Sequence, residues 1–265
     1  MVLPTALSIA GSDSSGGAGI QADLKTFITH GVYGMSAITA ITAQNTCGVI
    51  GVMDVSEDIV AAQLDAIFTD IPPQAVKIGM VSSAAIIAVI AAKLNQYQAR
   101  HIVLDPVMVA TSGSRLIADD AVQALCDGLI PLAELITPNL PEAEALTGLS
   151  VCGPEDMIRA AQRLHDTYGC AVLVKGGHLS GQADDILIDA KGERHTFAGE
   201  RIENPNTHGT GCTLSSAIAA NLARGCALPE AVRRAKKYVA TALLAGLHLG
   251  HGSGPLPHQL GEVEG

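Results

Sequence analysis

Ala6-Leu7-Ser8-Ile9-Ala10 is a short apolar run that passes through Gly11-Ser12-Asp13-Ser14-Ser15-Gly16-Gly17-Ala18-Gly19 into a helix-like pattern over residues 20–29. Strand, glycine-rich turn and helix in that order open a βα unit, and the same alternation repeats along most of the chain. Further strand-like runs lie at 36–42, 75–78, 101–105, 135–137 and 171–175, with helix-like segments at 59–69, 83–94, 118–126 and 154–168. Such alternation predicts an α/β fold with a mostly parallel central sheet and helices on both faces. Several runs end in Gly11, Gly79, Asp105, Thr137 or Lys175, and in open α/β sheets ligands bind beyond those carboxyl ends. The pattern changes at 184–203, where 185–188 and 195–197 flank Asp189-Ala190-Lys191-Gly192 and read as a small β-hairpin extension of the sheet. Two helices, one after Cys212 and one over about 229–248, precede a Gly/Pro-rich stretch that begins at Gly250 and reads as loop. With no linker or internal repeat, residues 1–265 read as a single domain.

A net charge of −10, no Trp and only 3 Phe and 4 Tyr argue against a nucleic-acid partner, which would need a basic surface and stacking platforms. The six cysteines, at 47, 126, 152, 170, 212 and 226, form no CxxC pair and no zinc-ligand spacing, which points to a reducing, cytoplasmic setting. Mean hydropathy is positive, at +0.32, yet no uncharged apolar run approaches the ~18–20 residues that span a bilayer. No membrane partner is expected, and residues 1–10 lack the basic start of a signal peptide.

The chemistry concentrates in Asn206-Thr207-His208-Gly209-Thr210-Gly211-Cys212-Thr213, at the head of a small-residue helix expected over 213–224. Amides at a helix start have no intrahelical partner and can bind an anion, and glycine lets the backbone approach it closely. A thiol there feels the positive end of the helix dipole, which favours the thiolate. An anion cradle beside a base is what phosphoryl transfer to an alcohol requires. The plainer reading of Cys212 is a small packed residue, but Gly209, Thr210 and Gly211 make little sense as core. The Gly11–Gly19 turn matches neither a Walker A loop nor GxGxxG. Gln44-Asn45 could read a heteroaromatic edge or simply form a polar turn. Asp105 and Glu142 are carboxylates suited to magnesium near phosphates, although Asn139 and Glu142 also have the spacing of a capping box. Lys175 could reach a nucleotide phosphate or merely solvent. His248 and His251 have no third ligand nearby in sequence and read as non-metal.

Read together, residues 10–23, Ala43-Gln44-Asn45-Thr46, Lys77-Ile78-Gly79-Met80, Leu104-Asp105-Pro106-Val107-Met108, residues 137–142, Val174-Lys175-Gly176-Gly177 and residues 206–213 resemble the hydroxymethylpyrimidine/phosphomethylpyrimidine kinases of thiamin biosynthesis, in the ribokinase superfamily. The resemblance implies a ribokinase-like three-layer sandwich, ATP and Mg²⁺ as cofactors, and a homodimer. It makes Gly209, Thr210 and Gly211 the anion hole and Cys212 the base. Gly11, Asp23, Gln44, Met80 and Val107 would hold the pyrimidine, with Asn139, Lys175 and Thr207 on ATP and Asp105 and Glu142 on the metal. The implied substrates are 4-amino-5-hydroxymethyl-2-methylpyrimidine and then its monophosphate. Pyridoxal kinase on the same fold is the nearest rival; Gln44 leans toward the pyrimidine because its amide can pair with a ring nitrogen and an amino group. A cysteine-nucleophile transferase using Cys212 with His208, and a non-catalytic sensor, are the alternatives from other classes.

Overall fold

The computed structural model describes residues 3–108, 119–177 and 183–260; Ala118, at the expected head of one helix, lies outside them. In chain order the elements are β1 (Thr5–Ala10), α1 (Gly19–Thr29), β2 (Tyr33–Ile38), β3 (Ala40–Asn45), β4 (Gly48–Asp54), α2 (Glu57–Asp70), β5 (Ala75–Ile78), α3 (Ala84–Gln96), β6 (Ile102–Leu104), α4 (Asp119–Ala124), β7 (Leu135–Ile136), α5 (Leu140–Thr147), α6 (Pro154–Tyr168), β8 (Ala171–Val174), β9 (Asp185–Ile188), β10 (Arg194–Phe197), α7 (Thr210–Ala223) and α8 (Leu228–Ala245). The main sheet runs β10-β9-β8-β7-β6-β5-β1-β2. It is parallel from β8 to β2 and antiparallel through the β9–β10 hairpin.

Each central strand is buried on both faces, so its alternating side chains feed two separate cores. Leu7, Ile9, Val76, Ile78, Leu104 and Ile136 pack on one side with residues of α2, α3, α5 and α6. Ala6, Ala75, Val103, Leu135, Ala171 and Leu173 face α1, α7 and α8 on the other. Full burial of one such Leu or Ile is worth about 1.5–3 kcal/mol. The α7 side is built from small residues, with Ala217, Ala219 and Ala220 all fully buried, so this helix can lie close against the sheet. Local signals set element ends as well. In α6, Pro154 starts the helix, Glu155 and Asp156 meet its positive end, Gly169 (φ +72°) stops it, and Met157, Ala160, Ala161 and Leu164 form the buried stripe.

Two expectations are corrected. The strand expected over 36–42 is two strands in two sheets: β2 ends at Ile38, and β3 turns away to pair antiparallel with β4. Thr39 fixes the departure, its N–H donating to Ala10 O and its hydroxyl to Met80 O. The sequence reading missed β4 because Ile50, Val52 and Met53 stay exposed and no apolar/polar alternation marks a buried face. The second correction concerns α7, which begins at Thr210 rather than 213. Gly211 and Cys212 therefore lie inside its first turn.

Candidate active site

The chain reverses direction across the sheet at β1, which lies between β2 and β5, and the carboxyl ends there open into a cleft of about 1760 Å³. Single ligand pockets run to ~300–1,000 Å³, so this cleft has room for two reactants side by side. Gly11 after β1, Asp105 after β6, Lys175 after β8 and the first turn of α7 all line it.

Gly209 caps α7 in the left-handed region (φ +78°, ψ 9°). A Cβ there would fall 1.8 Å from Gly17 O, so only glycine fits. Thr213 N–H closes the first helical bond to Gly209 O at 2.8 Å, and the amides of Gly211 and Cys212 are first-turn donors without intrahelical acceptors. Gly211 faces a charged cluster: a Cβ on it would lie 3.5 Å from both Asp105 Oδ2 and Lys175 Nζ.

That cluster comes from the adjacent ends of β6, β7 and β8. Lys175 Nζ donates to Asp105 Oδ1 at 2.7 Å and lies 4.0 Å from Glu142 Oε2; Thr137 Oγ1 donates to the same Asp105 oxygen at 3.0 Å. Burial alone would strip the Lys175 proton, but the carboxylates of Asp105 and Glu142 outweigh it and raise the ammonium above its ordinary range. Burial likewise works against the Asp105 anion, and Lys175 and Lys77 reverse this, holding it low. Glu142 is left the less compensated member: burial pushes its carboxyl up to about 7 against the pull of Lys175. Asn139 and Glu142 also form the expected capping box, with Asn139 N–H donating to Glu142 Oε2 at 2.8 Å and Glu142 N–H to Asn139 Oδ1 at 2.9 Å.

Gly11, Gln44, Met80 and Val107 also line the cleft. The register with β4 shifts between Ala43 and Gln44, leaving Ile50 of β4 as the extra residue, and Gln44 N–H donates to Ser14 Oγ at 2.9 Å. Thr207 also lines the cleft, its N–H donating to Ser253 Oγ at 3.2 Å.

Asp23 departs from its expected place. It is fully buried and absent from the cleft lining. Its carboxylate accepts from Ser8 Oγ, from Ser216 Oγ and twice from Lys77 Nζ, at 2.8 and 3.0 Å. No acceptor capacity remains for a substrate, so the expectation that Asp23 touches the pyrimidine is corrected to a buried ion pair behind the cleft. Lys77, equally buried, was missed: burial favours its neutral form, but Asp23, Cys212 and Asp105 together raise it well above the ordinary lysine range. A lysine inside a short apolar run carries no signal of its partner, which comes from a helix far away in sequence.

Cys212 is half-buried on the cleft wall. Burial pushes its thiol up, with Lys77 pulling the other way and Asp23 and Asp105 adding to the rise. The expected thiolate is thus corrected to a resting thiol: withdrawal from water outweighs the helix start. His208 does not serve Cys212 either. Its Nε2 donates to Asp13 Oδ2 at 2.7 Å, which leaves the cysteine–histidine nucleophile reading without its base.

The family model described as phosphomethylpyrimidine kinase matches residues 13–257. The hydroxymethylpyrimidine/phosphomethylpyrimidine kinase of Rhizobium meliloti is 57% identical over 257 residues, covering 96% of each chain. The thiamine biosynthesis bifunctional protein ThiED of Geobacter sulfurreducens is 53% identical over 255 residues, which cover 96% of this chain and 52% of that protein, so this chain spans about half its length. Among solved structures, the ADP complex of Bacillus subtilis pyridoxal kinase superposes with a TM-score of 0.90 at 39% identity, covering 98% of both chains. With a left-handed glycine at the head of α7, the cleft at the strand ends and a family match over nearly the whole length, the chain belongs to the phosphomethylpyrimidine kinase family.

Proposed function

We infer that the chain, as one kinase unit spanning residues 1–265, transfers the γ-phosphoryl group of ATP to the alcohol of 4-amino-5-hydroxymethyl-2-methylpyrimidine and then to the resulting monophosphate. The observation that carries this reading is the shared cleft, lined at once by the first turn of α7, by Gly11, Gln44, Met80 and Val107, and by the Asp105–Glu142–Lys175 cluster. Phosphoryl transfer is mostly positioning and charge neutralisation. In this reading the amides of Gly211 and Cys212 receive the charge on the transferring group, assisted by Thr210 and by the close approach that Gly209 permits. Lys175 and Asn139, with Thr207, hold the nucleotide phosphates. Gln44 reads the pyrimidine edge, and Gly11, Met80 and Val107 bound the ring.

Mg²⁺ fits the residues present: two buried carboxylates share one lysine, and burial drives Glu142 toward its neutral form, a strain that a divalent cation would relieve. Asp105 and Glu142 would hold it, directly or through water. When bound, Mg²⁺ offsets phosphate charge. The thiolate form of Cys212, reached when the resting thiol gives its proton to solvent, takes the proton of the alcohol in the first step; the second acceptor is already anionic and needs no such base. A cytoplasmic location accords with six free thiols, and among the described residues no helix is long and apolar enough to cross a membrane. A homodimer through the β3–β4 hairpin accords with exposed Ile41, Ile50, Val52 and Met53, since an isolated two-stranded sheet is only marginally stable.

Phosphorylation of pyridoxal is the second reading, favoured by the likeness to the B. subtilis enzyme. ATP turnover with Mg²⁺, measured for hydroxymethylpyrimidine, its monophosphate and pyridoxal at equal concentrations, separates the two. Turnover of both pyrimidines with little pyridoxal activity is expected. Pyridoxal dominance would overturn the role given to Gln44, and no turnover with any acceptor would overturn the kinase reading itself.

A further inference from the structure

Asp13 and His208 are buried, at 2% and 6% exposure, and the transfer chemistry above uses neither. His208 precedes the anion loop, while Asp13 lies in the glycine-rich turn after β1. Because His208 Nε2 lies 2.7 Å from Asp13 Oδ2 and a carboxylate can only accept, the imidazole proton is on Nε2. The same oxygen accepts the N–H groups of Gly17 and Ala18 at 3.1 and 2.8 Å, and Oδ1 accepts the N–H and hydroxyl of Ser15, both at 2.8 Å. Asp13 is thus a single anchor for its own turn and for the loop before α7. Burial would raise its carboxyl, but the bonds from His208, Ser15 and Ala18 prevail and hold it at about 2.

The packing around the pair leaves no slack. A Cβ on Gly17 would lie 2.4 Å from the His208 ring, and one on Gly209 would lie 1.8 Å from Gly17 O. From the opposite side Gly254 O accepts His208 N–H at 3.1 Å. Gln44 Nε2, on the acceptor wall, stands 3.5 Å from His208 Nε2. The imidazole therefore touches the acceptor side of the cleft while its backbone leads directly into Gly209.

We propose that Asp13 and His208 are a positioning pair for the transfer, tying the anion loop to the glycine-rich turn so that the acceptor wall and the phosphoryl hole are held in one register. The proposal rests on the kinase reading above, and neither residue touches the reacting atoms. The test compares His208→Leu, His208→Gln and Asp13→Asn in the full chain, with ATP, Mg²⁺ and hydroxymethylpyrimidine. Misplacement by about 1 Å can cost on the order of 10²-fold in rate. His208→Leu should therefore lower kcat by roughly that factor while the acceptor KM moves less than about threefold. His208→Gln, whose amide N–H reaches toward the same carboxylate, should restore most of kcat. Amide hydrogen exchange over residues 207–213 should accelerate in the Leu variant and stay near wild type in the Gln variant. Wild-type kcat in His208→Leu, a loss confined to KM, or a Gln variant as poor as Leu would each overturn the pairing. Should the Leu variant fail to fold, Asp13→Asn must show the same kcat loss and faster exchange, or the proposal falls. If the wild type phosphorylates no pyrimidine, the functional reading fails separately, and unchanged exchange in both variants would still refute the tether.

Discussion

Adding one methyl group at residue 209 tests how closely the anion loop must approach the glycine-rich turn. Gly209→Ala incurs two costs. The first is left-handed backbone strain at φ +78°, about 1–2 kcal/mol for a residue with a Cβ. The second is the 1.8 Å separation from Gly17 O, which forces loop and turn to separate by more than about 1 Å before ordinary contact is restored; displacement of that size costs on the order of 10²-fold in rate. The strain alone predicts a fall in Tm of roughly 2–8 °C, at ~2–4 °C per kcal/mol in a chain of this size. Gly169→Ala is the matched control: it also has positive φ (+72°), but a Cβ there would meet nothing within 4 Å. Gly169→Ala should lose only the strain-related stability, and Gly209→Ala should lose at least as much and, alone of the two, about 10²-fold or more in kcat, in both phosphorylation steps. The assay is steady-state ADP release with each pyrimidine acceptor, paired with thermal unfolding. Gly209→Ala with near-wild-type kcat and lowered Tm would refute the claim that close approach, rather than mere loop folding, sets the transfer geometry.

Three further outcomes are expected. Cys212→Ala should slow the first step by ~10²–10⁴-fold and the second far less; because burial raises the thiol, the wild-type first step should also speed up with rising pH above neutrality while the second stays flat, and equal losses or parallel profiles would exclude Cys212 as the base. Lys77→Met strands Asp23 as a buried anion and should cost ~3–5 kcal/mol, whereas the double change Lys77→Met with Asp23→Leu should be far less costly; urea unfolding checks this, and equal losses would show that the ion pair is not the cause. Glu142 is raised in the fold to about 7 from 4.5, so its ionisation opposes folding: the stability associated with the protonated carboxyl is present below about pH 4.5 and is lost as pH rises toward 7. Glu142→Gln should therefore gain on the wild type as pH climbs through that window, and Mg²⁺ should shrink the gap. A gap that ignores both pH and Mg²⁺ would remove Glu142 from the metal assignment.

The periodicity of Ala6–Ala10 and its successors, and the glycines and prolines that punctuate them, are local properties, so the sequence alone was enough for the α/β alternation, the β9–β10 hairpin and the capping box at Asn139 and Glu142. The glycines before α7 likewise marked a helix start, because a helix start needs only its own residues, although that start lies at Thr210 and takes in Gly211 and Cys212. What the sequence lacked was β4, whose apolar side chains face outward, and the point at Thr39 where β3 leaves the sheet, which depends on bonds to Ala10 and Met80.

The tertiary structure decided which charges meet. Asp23 and Lys77 are 54 residues apart, and Asp13 and His208 are 195 apart; nothing in the local pattern of either partner reveals the other. Burial then fixed the consequences, because a carboxylate removed from water must fill its acceptors. That requirement turned Asp23 from an expected substrate ligand into the buried partner of Lys77. It also made Asp13 the anchor of two loops, and burial left Cys212 a thiol at the start of a helix that would otherwise favour its anion.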